Sequence, residues 1–361
     1  MDECLIIGGG LIGMLSAREL AMAGMSVTLV ERGALGLESS WAGGGILSPL
    51  YPWRYDAAVT QLARWGQAVY AELAGTLRDE SGIDPQFNQN GLLILDCDET
   101  EQALAWAQQF GSHLELVGPE RVREIEPQLD AVSGEGIWMP EVAQVRNPRL
   151  VRAMRGSLER HRVKVIEHCE VRGLRLKQNR VTGVNLANGE AIGSERVLVA
   201  SGAWSAMLLQ QAGISLDVEP VRGQMLVFKG PPALVSRIVL SQDRYVIPRR
   251  DGRILVGSTL EHVGFEKRTT EEARQELIAE ARRLIPALAD FEVEHHWAGL
   301  RPGSPQGIPY ICEYPLIENL YVNTGHFRNG VVLGPASARL IADIILARAP
   351  IMDFEAYKIY V

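Results

Sequence analysis

The chain has 361 residues, 47% hydrophobic and 22% charged, which suits a large folded protein of about two domains at roughly 150 residues each and excludes a disordered or fibrous chain. Its 36 Lys and Arg against 44 Asp and Glu leave a net charge of −8 with no basic block, so nucleic acid is not an expected partner. Cys4, Cys97, Cys169 and Cys312 are too scattered for a C-x-x-C pair or a zinc site, and the acidic, glycine-broken start resembles neither a signal peptide nor a membrane helix. No metal, no membrane insertion and a cytoplasmic location are expected.

In chain order, Cys4 to Ile7 reads as a strand, the segment from Leu11 to Gly24 as a helix, and Ser26 to Glu31 as a second strand. This is a βαβ unit, whose right-handed crossover makes the strands parallel and buried on both faces. Gly91 to Asp96 reads as a strand, Glu101 to Phe110 as a helix and Pro148 to His161 as another. Short strands follow at Val163 to Ile166, Val171 to Leu176 and Arg180 to Leu186, then a buried one at Glu195 to Ala200. Gln224 to Phe228, Arg244 to Pro248 and Arg253 to Gly257, with turn signals such as Asp251-Gly252, predict an antiparallel sheet. Thr269 to Ile285 is an amphipathic helix, with Thr269 and Glu272 as a capping box and Pro286 as its stop. Leu320 to Val322 is the last strand, and Pro335 opens a helix through Leu346.

Gly8, Gly10 and Gly13 form G-x-G-x-x-G at a strand-to-helix junction, where the glycines allow the turn, the approach of a pyrophosphate and the packing of helix on strand. Glu31 ends the second strand about 20 residues further on, where a carboxylate can accept from a ribose hydroxyl. Ser39-Ser-Trp-Ala-Gly-Gly-Gly-Ile46 follows. Its glycines and small hydroxyls let backbone lie against a flat ring system, which favours a resident flavin over a nicotinamide that leaves after each turnover.

With Ala200-Ser-Gly-Ala-Trp204, Trp297-Ala-Gly-Leu-Arg-Pro-Gly303 and Gly325-His-Phe-Arg-Asn-Gly330, these motifs resemble the D-amino-acid oxidase family of flavoproteins, most closely its glycine oxidases of thiamine biosynthesis. The resemblance runs over nearly the whole chain and implies an α/β fold, a Rossmann-like doubly wound FAD-binding domain interleaved with an α+β substrate domain on a mainly antiparallel sheet. The expected boundaries are 1–84, 141–217 and 297–361 for the first and 85–140 and 218–296 for the second. It implies a non-covalent FAD and oxidation of glycine, sarcosine or a short D-amino acid to a 2-oxo acid, ammonia and hydrogen peroxide. Carried over by position, Leu11 and Ile12 approach the pyrophosphate and Glu31 and Arg32 the ribose. Ser39, Ser40, Gly44, Gly45 and Ile46 meet the linker and ring, Val171 the adenine, and Gly202 the same site. His326, Phe327, Arg328, Asn329, Gly330, Val331 and Val332 run beside the flavin. Arg301 holds the substrate carboxylate, helped by Tyr245 and Arg328. Related enzymes assemble as homo-oligomers. Some family members carry His and Met where this chain has Asp243 and Leu260, which leaves open how large a substrate fits, a question expected to turn on Tyr51, Trp53 and Leu260. Cys312 has a neighbourhood unlike the flavin-tethering cysteine of sarcosine oxidases.

The residues also argue for themselves. An Arg set among the apolar and turn residues of Ala-Gly-Leu-Arg-Pro-Gly needs an anion to offset its desolvation, either a substrate or an internal acid. Tyr245 shares a strand face with Ile247, opposite Arg244 and Val246, which suits either a pocket or a core. Arg328 reads as a clamp or a surface charge. No triad or metal pair is evident among the histidines, as flavin chemistry allows, since the protein then supplies orientation and electrostatics. The helix starting at Pro335 would point its positive end at the flavin's pyrimidine edge. A same-fold dehydrogenase passing electrons to a quinone or carrier, and a non-catalytic flavin-binding protein, are the alternatives.

Overall fold

The structure, a computed structural model, describes residues 2–130 and 134–360. In its first eight-stranded sheet the strands lie in the order Tyr310–Glu313, Leu320–Thr324, Ala191–Val199, Asp2–Ile7, Val27–Val30 and Lys164–Ile166. The last five pair in parallel, while the edge strand Tyr310–Glu313 is antiparallel. Arg180–Leu186 and Val171–Lys177 form an antiparallel meander off Ala191–Val199. Asp2–Ile7 is central, and Cys4, Leu5 and Ile6 have no exposure, because a parallel sheet is covered on both faces. The βαβ unit read from the sequence is present, with helix Leu11–Met22 joining strands that pair Ile7 with Val30.

The second sheet runs Val293–Gly303, Glu219–Lys229, Arg253–Gly257, Arg244–Pro248, Ile238–Ser241, Leu92–Leu95, Gly136–Met139 and Glu115–Val117. It is antiparallel except where Ile238–Ser241 meets Leu92–Leu95. Along Arg244–Pro248 the side chains alternate as expected. Tyr245 and Ile247 join one core with Met225 and Leu92, and Val246 joins another with Leu226 and Phe228.

Two helix starts differ from the sequence reading. The capping threonine of Glu271–Leu284 is Thr270, whose Oγ1 accepts from Ala273 N at 3.3 Å. Gln224 Oε1 accepts from Thr270 N at 2.8 Å, so a contact from the second sheet selects Thr270 over Thr269. The last long helix is Gly330–Ile345, with Pro335 inside it rather than at its start. A proline there removes the N–H that the carbonyl four residues earlier would have received. That carbonyl belongs to Val331, and the hydroxyl of Tyr70 donates to it at 3.1 Å.

Tyr70 comes from the longest helix, Ala57–Ser81, which is not among the elements read from the sequence. It is capped by Asp56, whose Oδ1 accepts from Ala58 N at 2.8 Å. It lies so close to the last helix that a Cβ on Gly66 would stand 2.0 Å from Val332 O.

Candidate active site

At the carboxyl ends of the first sheet's parallel strands, where such sheets bind ligands, a cleft with about 1720 Å³ of empty volume takes its walls from both sheets. Gly8 turns the chain into it with φ +111°, and a Cβ there would lie 2.5 Å from Ala200 O, so glycine is required. A Cβ on Gly13 would be 1.9 Å from Gly8 O. This third glycine is therefore what lets helix Leu11–Met22 close on its strand, and it is not on the cleft wall. Gly10, Leu11 and Ile12 are on the wall, at a helix start whose N-cap residue is Gly10, which has no side chain. Leu11 N donates to Ser40 Oγ at 2.8 Å. A helix N-terminus opening into a cleft is an anion site.

Glu31 and Arg32 line the same end. The Glu31 carboxylate accepts from Gly9 N at 2.7 Å and Gly33 N at 2.8 Å, which fixes its orientation. The Arg32 guanidinium stacks 3.8 Å from the ring centre of Trp204. Val171 and Gly202 are on this wall as well, and Ser39, Ser40, Gly44, Gly45 and Ile46 continue it. Opposite run His326, Phe327, Arg328, Asn329, Gly330 and Val331. Val332 is off the wall and fully buried in the core, because the helical turn that puts Gly330 and Val331 at the cleft rotates Val332 towards Ala57–Ser81. The helix start lies at the cleft through Gly330 and Val331, so the positive helix end expected at Pro335 reaches the cleft five residues earlier.

The cleft fits FAD on its own features. The glycine turn and the helix start suit a pyrophosphate, and among the described residues Asn329 Nδ2 and Asn323 Oδ1, both buried on residues of the wall, have no hydrogen-bond partner. Buried polar groups left unpaired are costly, and a polar ring edge would satisfy them.

At the other end the second sheet supplies Tyr245, Ser258 and Arg301. Arg301 Nη2 donates to Ser258 Oγ at 2.6 Å and Nη1 to Thr259 O at 3.2 Å. Burial holds its pKa below the usual guanidinium value, with Tyr245 opposing that shift and nearby Arg328 reinforcing it. No acid among the described residues pairs with Arg301 or Arg328, which leaves two neighbouring cations facing a cavity without a counter-ion. The internal salt bridge that would have explained Arg301 away is absent from the described residues.

Glycines make room here. A Cβ on Gly223 would fall 2.1 Å from Arg301 Nη1, and one on Gly257 2.8 Å from the Tyr245 ring. Gly223, Gly257, Ser258, Thr259 and Trp204 are contributors that the sequence reading did not single out as site residues. The usable signal was a glycine inside an apolar strand pattern, which marks a close approach. Of the residues expected to set substrate size, Tyr51 is buried beside the site, Trp53 is half-buried, Leu260 is 44% exposed, and none is on the cleft wall. Ile46, Ser48 and Leu50 are on it instead.

His326 is buried with Nε2 2.9 Å from Ser337 Oγ, and burial pushes its pKa down to about 3. An imidazole that burial makes this weakly basic, with Nε2 already engaged by Ser337, is a poor proton acceptor for the substrate. Cys312 is 2% exposed on the edge strand Tyr310–Glu313 and away from the cleft, where burial pushes its thiol up to about 11.

A family model described as FAD dependent oxidoreductase (DAO) matches residues 3–344. The chain is 50% identical to a glycine oxidase of Pseudomonas aeruginosa over 99% of this chain and 98% of that one. It is 33% identical to a bifunctional ThiO/ThiG protein of Nostoc over 95% of this chain and 52% of that one. Among solved structures, a glycine oxidase of Geobacillus kaustophilus superposes with a TM-score of 0.93 at 28% identity, covering 99% of this chain and 98% of the other.

Proposed function

The chain belongs to the DAO family of FAD-dependent oxidoreductases, and from that premise we propose that it oxidises a small amino acid, glycine first. With water and oxygen, glycine yields glyoxylate, ammonia and hydrogen peroxide. The observation that carries this reading is the cationic pair of Arg301 and Arg328, without an acid partner among the described residues, at the end of the cleft.

When bound, FAD supplies a two-electron acceptor for the hydride of the substrate's α-carbon and a route for the electron pair to oxygen. It would be held by Gly8, Gly10, Leu11 and Ile12 at the phosphates and Glu31 at the ribose, with Val171 near the adenine. The chain's own work is orientation. Arg301, fixed by Ser258 and Thr259, grips the carboxylate, and Arg328 adds charge. Tyr245 packs beside them and limits the carboxylate's positions. Among the described residues of the substrate end no carboxylate or titrating imidazole is placed to take a proton, so the amine must arrive neutral. Held this way, the α-carbon is presented rather than activated by a base. The ThiO/ThiG relative supports a role for the product in thiamine biosynthesis.

The test is an anaerobic titration of the purified flavoprotein with a panel of amino acids, followed by peroxide assay under air. Glycine is expected to bleach the flavin and to give one peroxide per substrate. Bleaching without peroxide would make the protein a dehydrogenase, and a flavin that no amino acid bleaches would make it non-catalytic.

A further inference from the structure

Behind the Gly44–Gly45 loop lies Arg249, just past the strand Arg244–Pro248 and only 7% exposed. It does not line the cleft, and no acid among the described residues pairs with it. Its Nη2 donates to Gly44 O at 2.7 Å, and its Nη1 donates to Val145 O at 2.9 Å and Gln144 Oε1 at 2.5 Å. Its Nε is buried without a hydrogen-bond partner among the described residues. An isolated buried cation is costly, so its retention points to what it holds.

What it holds is a peptide plane. In a trans peptide the carbonyl and the following N–H point in opposite directions. With Gly44 O drawn back towards Arg249, the Gly45 N–H faces the other way, into the cleft that Gly44 and Gly45 line. That N–H has no hydrogen-bond acceptor among the described residues. The loop has little freedom to refuse this orientation. Val145 N donates to Gly45 O at 2.9 Å, and a Cβ on Gly44 would meet Ile247 Cδ1 at 2.7 Å and Tyr245 Cε2 at 3.3 Å. The same loop therefore touches the tyrosine that lies beside Arg301.

We propose that Arg249 is a positioning residue, whose forked guanidinium fixes the Gly44–Gly45 peptide so that the Gly45 N–H is presented to the bound flavin ring as a hydrogen-bond donor. This rests on the reading of the cleft as an FAD site. A fixed donor at the ring strengthens binding and favours the electron-rich reduced form, and a planar fork does this better than a flexible ammonium.

The experiment compares wild type, Arg249→Met, Arg249→Lys and a control, Arg253→Met, whose arginine pairs with Glu294 and Asp251 at the protein surface. The measurements are the FAD dissociation constant by flavin fluorescence and the flavin midpoint potential, neither of which depends on turnover. Arg249→Met is expected to weaken FAD binding by about tenfold or more and to lower the midpoint potential, with Arg249→Lys between it and wild type and the control close to wild type. Folded Arg249→Met with unchanged affinity and potential overturns the proposal, even if its melting temperature falls, because a purely structural arginine would behave in that way. If Arg249→Met does not fold, Arg249→Lys decides alone, and wild-type values for it overturn the proposal. Wild type that takes up no FAD would instead sink the cofactor reading.

Discussion

Arg301, half-buried at the cleft, and His326, fully buried, are ionisable groups whose environments send them to opposite ends of function. Arg301 keeps its charge beside Arg328 with hydroxyl and carbonyl partners only, so a bound carboxylate is the missing partner. Removing one side of such a pair costs about 3–5 kcal/mol, so Arg301→Ala is expected to raise KM by about 10²–10³-fold with FAD still bound. Steady-state kinetics on the flavin-loaded variant check this, and a near-wild-type KM would refute the assignment. His326 loses its charge instead. Its imidazole titrates near 3 in the fold against 6.5 when unfolded, so between those values the unfolded chain binds more protons and stability falls as pH drops. His296 is shifted in the same direction by burial. Melting temperature should therefore decline on acidification from about pH 6.5 to 4.5, before carboxylates such as Glu80, held down to about 2, begin to titrate. His326→Gln should flatten that decline, and an unchanged slope would show that the window belongs to other groups. At this scale Glu31, Arg301 and the glycine turn were legible because each needs a partner its neighbours in sequence cannot supply. Arg249 was not, since its partners at Gly44, Gln144 and Val145 are far away in the chain.

Among the elements, the helix Ala57–Ser81 acts as a prop for the cleft wall. Its Tyr70 hydroxyl completes the Val331 carbonyl that Pro335 leaves without a donor, and Gly66 lets the two helices touch. Tyr70→Phe keeps the ring but strands that carbonyl, so a loss of about 1–3 kcal/mol in unfolding free energy is expected, measurable by urea denaturation. Gly66→Ala pushes a methyl into backbone and should both destabilise the protein and weaken FAD binding, because the displaced segment carries Asn329 and Gly330. A variant with wild-type flavin affinity would show that the prop and the wall are independent. The strand and helix of the βαβ unit could be read from periodicity, since burial on one face or both leaves a pattern in the residues themselves. The prop carries a pattern of the same kind, with Val59, Leu62, Ala63, Gly66, Tyr70, Ala74 and Leu77 buried at helical spacing, but its partner, the last helix, is far away in the chain. The shifts from Thr269 to Thr270 and from Pro335 to Gly330 have the same origin, namely partners such as Gln224 and Tyr70 supplied from distant segments.

For the molecule as a whole, the cleft draws its walls from both sheets, so the cofactor ties them together. Lys267, beyond the second sheet, pairs with Glu38 at 2.6 Å, and Phe265 packs 5.6 Å from Trp204 between ring centres, which adds protein contacts across the same gap. Linkage then predicts that FAD held 100-fold above its dissociation constant raises the unfolding free energy by about 2.7 kcal/mol. Urea melts with and without added FAD test this, and superimposable curves would mean the ligand does not select the folded state. The two-sheet plan was visible in the sequence as a parallel signature at the start and alternating strands later. The pairing order was not, because it depends on which distant strands meet.

That order has a consequence for how the protein is made. Asp2–Ile7, at the centre of the first sheet, leaves the ribosome long before Leu320–Thr324, which pairs with residues 197–199. Until that later strand emerges the nascent chain carries an unsatisfied strand edge, and closure waits on a long-range contact of the slow kind. Prematurely terminated chains lacking Leu320 should be prone to aggregation and chaperone capture even though every glycine of the opening turn is already in place.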